Sequence, residues 1–268
     1  MNKQQVSFIQ GSNGNIAVYD WCNEQPCYLA LLIHGYGEHL GRYQYVADTL
    51  TQNGARVFGP DHLGHGLSDG ERVLIDDYEA VVDDVHCVVK QMRQKYPMLP
   101  FVVIGHSMGG MIAARYVQRY GNDVNALILS APLLGKRTMI SDLAELESIP
   151  DTPLDTATLS RDPAVGIDYQ NDPLVWHGAF KHTTLRAMQN ILPIIDSGSN
   201  FGELPTLWIH GSDDRLVLLN ETKTTLDKLQ GKYFEHKLNP NGQHESFNEI
   251  NKAEVLTWVT DFIERVLK

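Results

Sequence analysis

Runs of consecutive apolar residues, with no alternation of polar positions, lie at three places in the chain: 28–33, 101–104 and 126–129. Continuous apolar runs of this length are typical of strands that are buried on both faces of a parallel sheet. We therefore predict that these three strands form the centre of a sheet. Further strands are predicted at 6–9, 16–21, 56–58, 206–209 and 233–238.

Between the strands, apolar residues recur at steps of three and four, which is the spacing of an amphipathic helix. The pattern predicts a helix at 78–92, which Asp76 or Asp77 would cap, and others at 108–120 and 255–266. Regular alternation of strands and helices is typical of a mainly parallel, doubly wound sheet. The predicted fold class is therefore α/β.

The alternation breaks between residues 135 and 203. This segment carries five prolines and two short helical patterns, at 140–146 and 185–192. No repeat or low-complexity tract marks it as a linker. We predict that 1–134 and 204–268 form one core and that 135–203 is a helical cap, inserted over the carboxyl ends of the strands.

A Gly-x-Ser-x-Gly motif at 105–109 separates the strand at 101–104 from the helix that follows. A strand that turns directly into a helix places its corner residue in a strained backbone conformation, which only small flanking residues allow. The corner serine then stands clear of the sheet at a helix N-terminus, where backbone N–H groups favour negative charge. We therefore predict that Ser107 is a catalytic nucleophile.

A second Gly-x-Ser-x-Gly motif lies at 66–70, but no strand pattern leads into it and no helical pattern follows it. We therefore do not expect Ser68 to be the nucleophile. His62 and His65 in the same loop are of the residue type that binds metals, but no cysteine is near and their spacing is not that of a helix face. We expect them to form hydrogen bonds within the loop, and we expect neither a metal nor a cofactor.

Serine becomes a good nucleophile only when a base removes its proton, and a carboxylate serves to orient that base. After this type of motif the acid and then the histidine follow along the chain, each beyond a strand end. Of the eleven histidines, only His236 and His244 lie late enough, and His236 falls within a predicted strand. We therefore predict that His244 is the base. Asp213 and Asp214 both follow the strand at 206–209, and their positions alone do not decide which is the acid.

Ester cleavage by a serine also needs two backbone N–H groups that stabilise the developing oxyanion, each contributing on the order of 3 kcal/mol. One is expected on the residue after the nucleophile, Met108, and the other in the loop that follows the strand at 28–33. Gly35 and Gly37 in that loop would let the backbone of Tyr36 approach the site closely. We predict an oxyanion hole made of the N–H groups of Tyr36 and Met108.

The composition of the chain limits the classes of partner that we expect it to bind. The formal net charge of −11 argues against binding of nucleic acid and against electrostatic capture by anionic lipid. The three cysteines do not suggest a disulfide framework. Neither a signal peptide nor a membrane-spanning run is evident, so we expect a cytoplasmic protein. The sequence does not determine the oligomeric state.

With these residues identified, the chain resembles the monoacylglycerol lipases, of the lysophospholipase-like branch of the serine α/β-hydrolases. The resemblance covers nearly the whole chain. It rests on the segments at 34–43, 61–72, 105–110, 169–174, 211–215 and 244–245. The first two segments are far more specific than the Gly-x-Ser-x-Gly motif alone.

The resemblance implies an α/β-hydrolase fold, and it assigns the acid to Asp214, the fourth residue of a Gly-Ser-x-Asp-Arg pattern. It also implies that Glu38, Arg42 and Tyr169 line a polar pocket that holds the glycerol end of the substrate. Glu38 and Arg42 have an alternative role, as a salt bridge that braces the oxyanion loop.

In this family the cap carries an apolar surface through which acyl chains enter. The residues that would supply this surface here, or would instead pack the cap on the core, are Leu143, Leu146, Leu185 and Met188. Contact with a membrane would then be at most transient and would take place through the cap.

Together these residues predict a serine hydrolase that cleaves the fatty-acyl ester of monoacylglycerols to glycerol and free fatty acid through an acyl-enzyme. Its partner is then a small lipid ester. An alternative with the same triad is a lysophospholipase or a short-chain carboxylesterase. Acyl transfer to another alcohol is a further alternative, as is a catalytically silent protein that uses the fold for binding. The silent alternative is disfavoured because the chain retains every member of the triad.

Overall fold

The computed structural model describes residues 4–135, 138–152 and 154–268. The strands of this described part are β1 (Gln4–Gly11), β2 (Gly14–Trp21), β3 (Tyr28–Ile33), β4 (Ala55–Pro60), β5 (Phe101–His106), β6 (Ala126–Ser130), β7 (Thr206–Gly211) and β8 (Phe234–Asn239). Its helices are α1 (Gln44–Gln52), α2 (Tyr78–Lys95), α3 (Met108–Tyr120), α4 (Met139–Ala144), α5 (Pro163–Asn171), α6 (His182–Asp196), α7 (Leu219–Leu229) and α8 (Lys252–Leu267).

The strands form a single sheet in the order β1-β2-β4-β3-β5-β6-β7-β8. The pairs β1–β2 and β2–β4 are antiparallel, whereas every neighbouring pair from β4 through to β8 is parallel. This confirms the prediction of a mainly parallel α/β sheet. The parallel strands place their carboxyl ends along one edge, where side chains from distant parts of the sequence meet.

Helices cover both faces of the sheet, and strand β3 shows how the sequence encodes this. Leu29, Leu31 and Ile33 belong to the core under α2 and α3, while Ala30 and Leu32 belong to the core under α1 and α8. Since successive side chains of a strand point to opposite faces, a strand between two cores must be apolar at every position. The uninterrupted apolar run at Tyr28–Ile33 therefore has the bounds that the sequence predicts.

The hairpin of β1 and β2 is longer than the prediction. Its ladder pairs Gln4 with Trp21 and continues to Gly11 opposite Gly14, whereas the sequence predicts only 6–9 for the first strand. Six of the eight β1 residues are exposed, so this strand is held by backbone pairing and not by burial of its side chains. The apolar pattern therefore marks only its middle.

Helix α2 begins where the sequence predicts. Of the two candidate caps, Asp77 is the one whose carboxylate accepts a hydrogen bond from the N–H of Glu79, at 2.8 Å. This bond satisfies one of the backbone donors that a helix N-terminus leaves without a partner.

Helices α4, α5 and α6 lie between β6 and β7, in the segment predicted as a cap. They differ in how they pack: Leu185 and Met188 of α6 are fully buried in the same core as α2 and α3. Tyr169 of α5, in contrast, lies in a small separate cluster with Leu159 and Val175. Among the described residues, no helix has the length and apolar character that crossing a bilayer requires.

Candidate active site

Ser107 occupies the tight turn between β5 and α3, with φ 55° and ψ −121°. A positive φ is rare for a residue with a side chain, so the surrounding structure must impose it. The Ser107 N–H donates to the carbonyl oxygen of Ser130 at 3.0 Å, and its own carbonyl accepts from the N–H of Leu133 at 2.9 Å. These bonds fix the strained turn, and Ser107 lines a cavity.

Two glycines make this turn possible. A Cβ atom on Gly105 would lie 2.3 Å from the carbonyl oxygen of Gly109, and a Cβ atom on Gly109 would lie 2.1 Å from the carbonyl oxygen of Ile33. Both oxygens belong to the backbone and have little freedom to move aside. The motif therefore has the steric basis that its spacing predicts.

Asp214 and His244 meet at the carboxyl ends of β7 and β8. The Nδ1 of His244 lies 2.8 Å from the Oδ2 of Asp214, and both side chains are buried. The other carboxylate oxygen, Oδ1, accepts the backbone N–H groups of Leu216 and Val217 at 2.9 and 3.0 Å. Asp213, the alternative acid, is exposed, and its carboxylate bonds to the hydroxyl of Ser212.

The contact between Asp214 and His244 shifts the pKa values of the two side chains in opposite directions. Burial opposes ionisation of Asp214, but His244 and His210 more than offset it and lower the pKa of the carboxyl well below its usual range. Burial also opposes protonation of His244, but the Asp214 carboxylate raises the pKa of the imidazole above its usual 6.5. The arrangement stabilises an imidazolium next to a carboxylate, which is the state that a general base reaches after it takes a proton.

His210 is a buried contact of Asp214 that the sequence reasoning missed. Its Nδ1 accepts the indole N–H of Trp208 at 3.1 Å, which places the proton on Nε2. That N–H points to the carbonyl oxygen of Val217 at 2.8 Å and lies 3.3 Å from the Oδ2 of Asp214. The sequence reasoning did not consider His210, because it lies between the strand predicted at 206–209 and the two candidate acids, and the base was sought only beyond them.

Ser107 and His244 line the same cavity. The ring of His106, next to the serine, packs against the ring of His244 with centroids 4.8 Å apart. Among the described residues, however, the only bond of the His244 ring is to Asp214, and the Ser107 hydroxyl does not bond to it. Bonds between nucleophile and base commonly tighten only when substrate binds. The structure thus gathers the three side chains at one edge of the sheet without joining the serine to the histidine.

The two predicted oxyanion donors also border this cavity. Met108 is the first residue of α3, so its N–H has no partner within the helix. Tyr36 lies between Gly35, whose N–H donates to Glu38 Oε1 at 2.7 Å, and Gly37, which has φ 73°. The loop around Tyr36 is therefore held in place by a buried carboxylate.

Glu38, Arg42 and Tyr169 lie together at one end of the cavity. The guanidinium of Arg42 donates to Glu38 Oε2 at 2.5 Å and lies 5.0 Å above the ring of Tyr169. Glu38 also accepts the hydroxyl of Tyr43 at 2.6 Å. The salt bridge that was the alternative role of Glu38 and Arg42 is therefore present, and the same side chains also face the cavity.

Glu245 completes this polar cluster and was not assigned a role from the sequence. Its two carboxylate oxygens accept Nη1 and Nη2 of Arg42 at 2.8 and 2.9 Å, in a bidentate pair. Burial opposes ionisation of Glu245, but Arg42 lowers the pKa of its carboxyl to about 2. The only available signal was its place directly after His244, because the partner lies 203 residues away in the sequence.

The cavity has a volume of about 530 Å³, and apolar side chains form much of its remaining wall, beside polar ones such as Asp155, Thr156 and Gln170. Residues of this wall include Leu133, Ile140, Leu143, Ile149, Met188 and Val217. Of the four residues considered for an acyl surface, Leu143 and Met188 line the cavity. Leu185 is fully buried in the core, and Leu146 is exposed outside the cavity lining. Two of the four therefore pack or face solvent and do not form the wall.

The loop with the second Gly-x-Ser-x-Gly motif is a structural brace. The Ser68 hydroxyl accepts the N–H of Ala17 and donates to the carbonyl oxygen of Asp61, at 2.9 and 2.7 Å. His62 donates its backbone N–H to Nε2 of His34, in the oxyanion loop, at 3.1 Å. Burial lowers the pKa of His62 to about 3 and that of His65 to about 4, so both rings are neutral.

The chain matches the family model Hydrolase_4, described as serine aminopeptidase, S33, over residues 24–251. It is 34% identical over 264 residues to a monoacylglycerol lipase of Mycolicibacterium smegmatis, and the match covers 94% of each chain. It is 32% identical over 247 residues to the monoglyceride lipase of Homo sapiens, with 84% of this chain and 82% of that protein covered.

Solved structures share its fold. A soluble variant of monoglyceride lipase from Saccharomyces cerevisiae, in complex with a substrate analog, has a TM-score of 0.86 at 22% identity and covers 99% of this chain and 95% of its own. A thermostable carboxyl esterase from Bacillus coagulans, in complex with glycerol, has a TM-score of 0.78 at 22% identity and covers 100% of both chains. These likenesses confirm the prediction of an α/β-hydrolase fold.

Proposed function

The chain belongs to the Hydrolase_4 family and is a serine hydrolase of carboxylic esters, and from that premise we propose that it cleaves monoacylglycerols to glycerol and a free fatty acid. The observation that carries the proposal is a single cavity with two chemically different ends. One end is the polar cluster of Glu38, Arg42, Tyr169 and Glu245, and the rest of the lining is largely apolar. Ser107 and the Asp214–His244 pair lie at the same cavity, so an ester that spans both ends meets the nucleophile.

The first half of the reaction forms an acyl-enzyme. The Oγ of Ser107 attacks the ester carbonyl carbon while His244 takes the hydroxyl proton at Nε2. The carbonyl oxygen becomes an oxyanion, which the N–H groups of Tyr36 and Met108 stabilise. When the tetrahedral intermediate collapses, the bond to the glycerol oxygen breaks and His244 returns the proton to that oxygen. Glycerol leaves, and the acyl group remains on Ser107.

The second half uses water as the nucleophile. His244 takes a proton from a water molecule, which attacks the acyl carbonyl carbon through a second oxyanion intermediate. The bond to Ser107 then breaks, and the serine regains its proton from His244. The raised pKa of His244 supports both halves, because the imidazolium that forms twice is stabilised by the buried Asp214 carboxylate.

Residues 135–203 act as the cap in this scheme. The described part of the segment supplies Leu143 and Met188 to the apolar wall and Tyr169 to the polar end. A lipid ester enters from a membrane surface through transient contact with this segment, whose exposed apolar side chains include Leu146 and Ile167. The cytoplasmic location remains a prediction from the sequence.

The test is a substrate panel with matched serine variants. Wild-type protein is assayed with 1-monoacylglycerol, lysophosphatidylcholine and p-nitrophenyl ester of one chain length, beside Ser107→Ala and Ser68→Ala. We expect the monoacylglycerol to be the best of the three, and Ser107→Ala to lose all hydrolysis while it unfolds at the wild-type temperature. Ser68→Ala should keep its activity per folded molecule. Retained activity in Ser107→Ala, or monoacylglycerol as the poorest substrate, would overturn the proposal.

A further inference from the structure

The guanidinium of Arg42 is already committed to two carboxylates. Nη1 donates to both Glu38 and Glu245, and Nη2 donates to Glu245, all within 2.5 to 2.9 Å. Arg42 and Glu245 are each about nine-tenths or more buried at the side chain. A bidentate pair of this kind is held by geometry as well as by charge, so the guanidinium is not free to reorient towards a ligand.

The polar end of the cavity therefore has an excess of negative charge. Glu245 is ionised because Arg42, acting against burial, lowers its pKa to about 2, and the pKa of Arg42 is itself raised well above its usual value. Among the described residues that line the cavity, Arg42 is the only arginine or lysine. Burial lowers the pKa of His106 to about 4, so that ring adds no positive charge at neutral pH. At this end of the cavity, the Arg42 guanidinium is thus shared between the carboxylates of Glu38 and Glu245.

We propose that Glu245, together with Glu38, makes this end of the cavity select a neutral polyol headgroup and reject an anionic one such as a phosphate monoester. The proposal rests on the proposed function and names the headgroup that the same site accepts. Glu245 is then a specificity-determining residue, because it occupies the guanidinium that would otherwise bind a phosphate.

Hydrogen-bonding capacity at this end points the same way. A carboxylate offers about four acceptor positions and no donor. Oε1 of Glu245 has one partner, Arg42, and Oε2 has two, Arg42 and Asn248. Hydroxyl groups of glycerol can donate to the acceptor positions that are left. A phosphate monoester is mostly a dianion at neutral pH. It therefore offers few protons to these positions and meets like charges, and such contacts reduce affinity strongly.

Three esters of one short chain separate charge from size. They are 1-hexanoylglycerol, 1-hexanoylglycerol 3-phosphate and a neutral sulfone. In the sulfone, a carbon-bound methylsulfonyl group replaces the whole phosphate group, including its bridging oxygen. Below their micelle concentrations, we expect the wild-type kcat/KM for the phosphate to be about 100-fold below that for 1-hexanoylglycerol. The neutral analogue should lie much closer to 1-hexanoylglycerol. Equal rejection of the neutral and the charged analogue would mean exclusion by size and would overturn the proposal.

A single charge change tests the residue. Glu245→Gln keeps the shape of the side chain and removes one negative charge. It should raise the ratio of kcat/KM for the phosphate to kcat/KM for 1-hexanoylglycerol by about tenfold. Asp213→Asn removes one charge from an exposed position outside the cavity lining and should leave the ratio unchanged. An equal effect of both variants would contradict the assignment.

The outcomes also separate the two proposals. Hydrolysis of 1-hexanoylglycerol and of its phosphate at equal rates would refute headgroup selection and leave the proposed function intact. Hydrolysis of neither would refute both. The wild-type comparison needs no substitution, so it tests headgroup selection even if Glu245→Gln fails to fold.

Discussion

Replacing Asp214 with asparagine should reverse the orientation of the His244 proton. In the wild type, Oδ1 of Asp214 accepts two backbone N–H groups, from Leu216 and Val217, at 2.9 and 3.0 Å. An asparagine must place its oxygen there, because its amide nitrogen cannot accept those bonds. Its NH₂ group then faces Nδ1 of His244, where the carboxylate oxygen now lies at 2.8 Å.

The size of the expected loss in kcat follows from the tautomer of His244. With an N–H donor opposite, Nδ1 must accept and the ring proton moves to Nε2, so His244 can no longer take the proton of Ser107. The same exchange in another serine hydrolase costs about 10⁴-fold in kcat. At about 1.4 kcal/mol for each factor of ten, this is about 5.5 kcal/mol of lost transition-state stabilisation. Asp214→Asn should therefore reduce kcat by about 10⁴-fold while the fold is retained.

Asp213→Asn is the matched control. Asp213 is exposed, and its carboxylate accepts a hydrogen bond from the neighbouring Ser212. The kcat of Asp213→Asn should therefore stay within about twofold of the wild-type value. Initial rates on 1-hexanoylglycerol measure the activity of each variant, and thermal unfolding shows whether each variant keeps the fold. If Asp213→Asn is the more damaged variant, or if Asp214→Asn keeps more than a tenth of the activity, the acid is not Asp214.

Three further predictions concern pH, folding and substrate size. Because Asp214 raises the pKa of His244 above 6.5, and the base must be unprotonated, kcat/KM should rise with pH through a midpoint above 6.5; a midpoint below 6.5 in a pH–rate profile would contradict this. Gly109→Ala should fail to fold, because its Cβ would lie 2.1 Å from the carbonyl oxygen of Ile33. An unfolding temperature equal to that of the wild type, measured by circular dichroism, would show that the turn at Ser107 has room for the extra methyl group. Monoacylglycerols should be cleaved much faster than di- or triacylglycerols of the same chain, because Glu38, Arg42 and Glu245 at the glycerol end of the cavity disfavour further acyl chains there; equal fatty-acid release from all three would refute this.

The central strands could be predicted because their sequence signal is also their physical cause. Strand β3 is apolar at every position since its two faces belong to two cores, and the observed bounds match the prediction. The turn at Ser107 was predictable for a similar reason, because the glycines on either side are required by contacts with the nearby backbone.

What the sequence could not supply were contacts between distant residues. Nothing in the pattern pairs Arg42 with Glu245, because the bond depends on how two loops at the sheet edge approach each other. The neighbouring residues Asp213 and Asp214 were equivalent in the residue pattern alone, and only the resemblance to a family ranked them. In the structure they differ completely, one exposed and one buried against His244. The length of β1 was missed because pairing of backbone groups leaves no apolar pattern.

The most direct measurement for the account is the identification of the serine that becomes covalently modified. The protein is incubated with a fluorophosphonate, which reacts with an activated serine, then digested and mapped by mass spectrometry. The account predicts one adduct, on Ser107, formed in parallel with loss of ester hydrolysis. An adduct on Ser68 instead, or full inactivation with Ser107 unmodified, would contradict it.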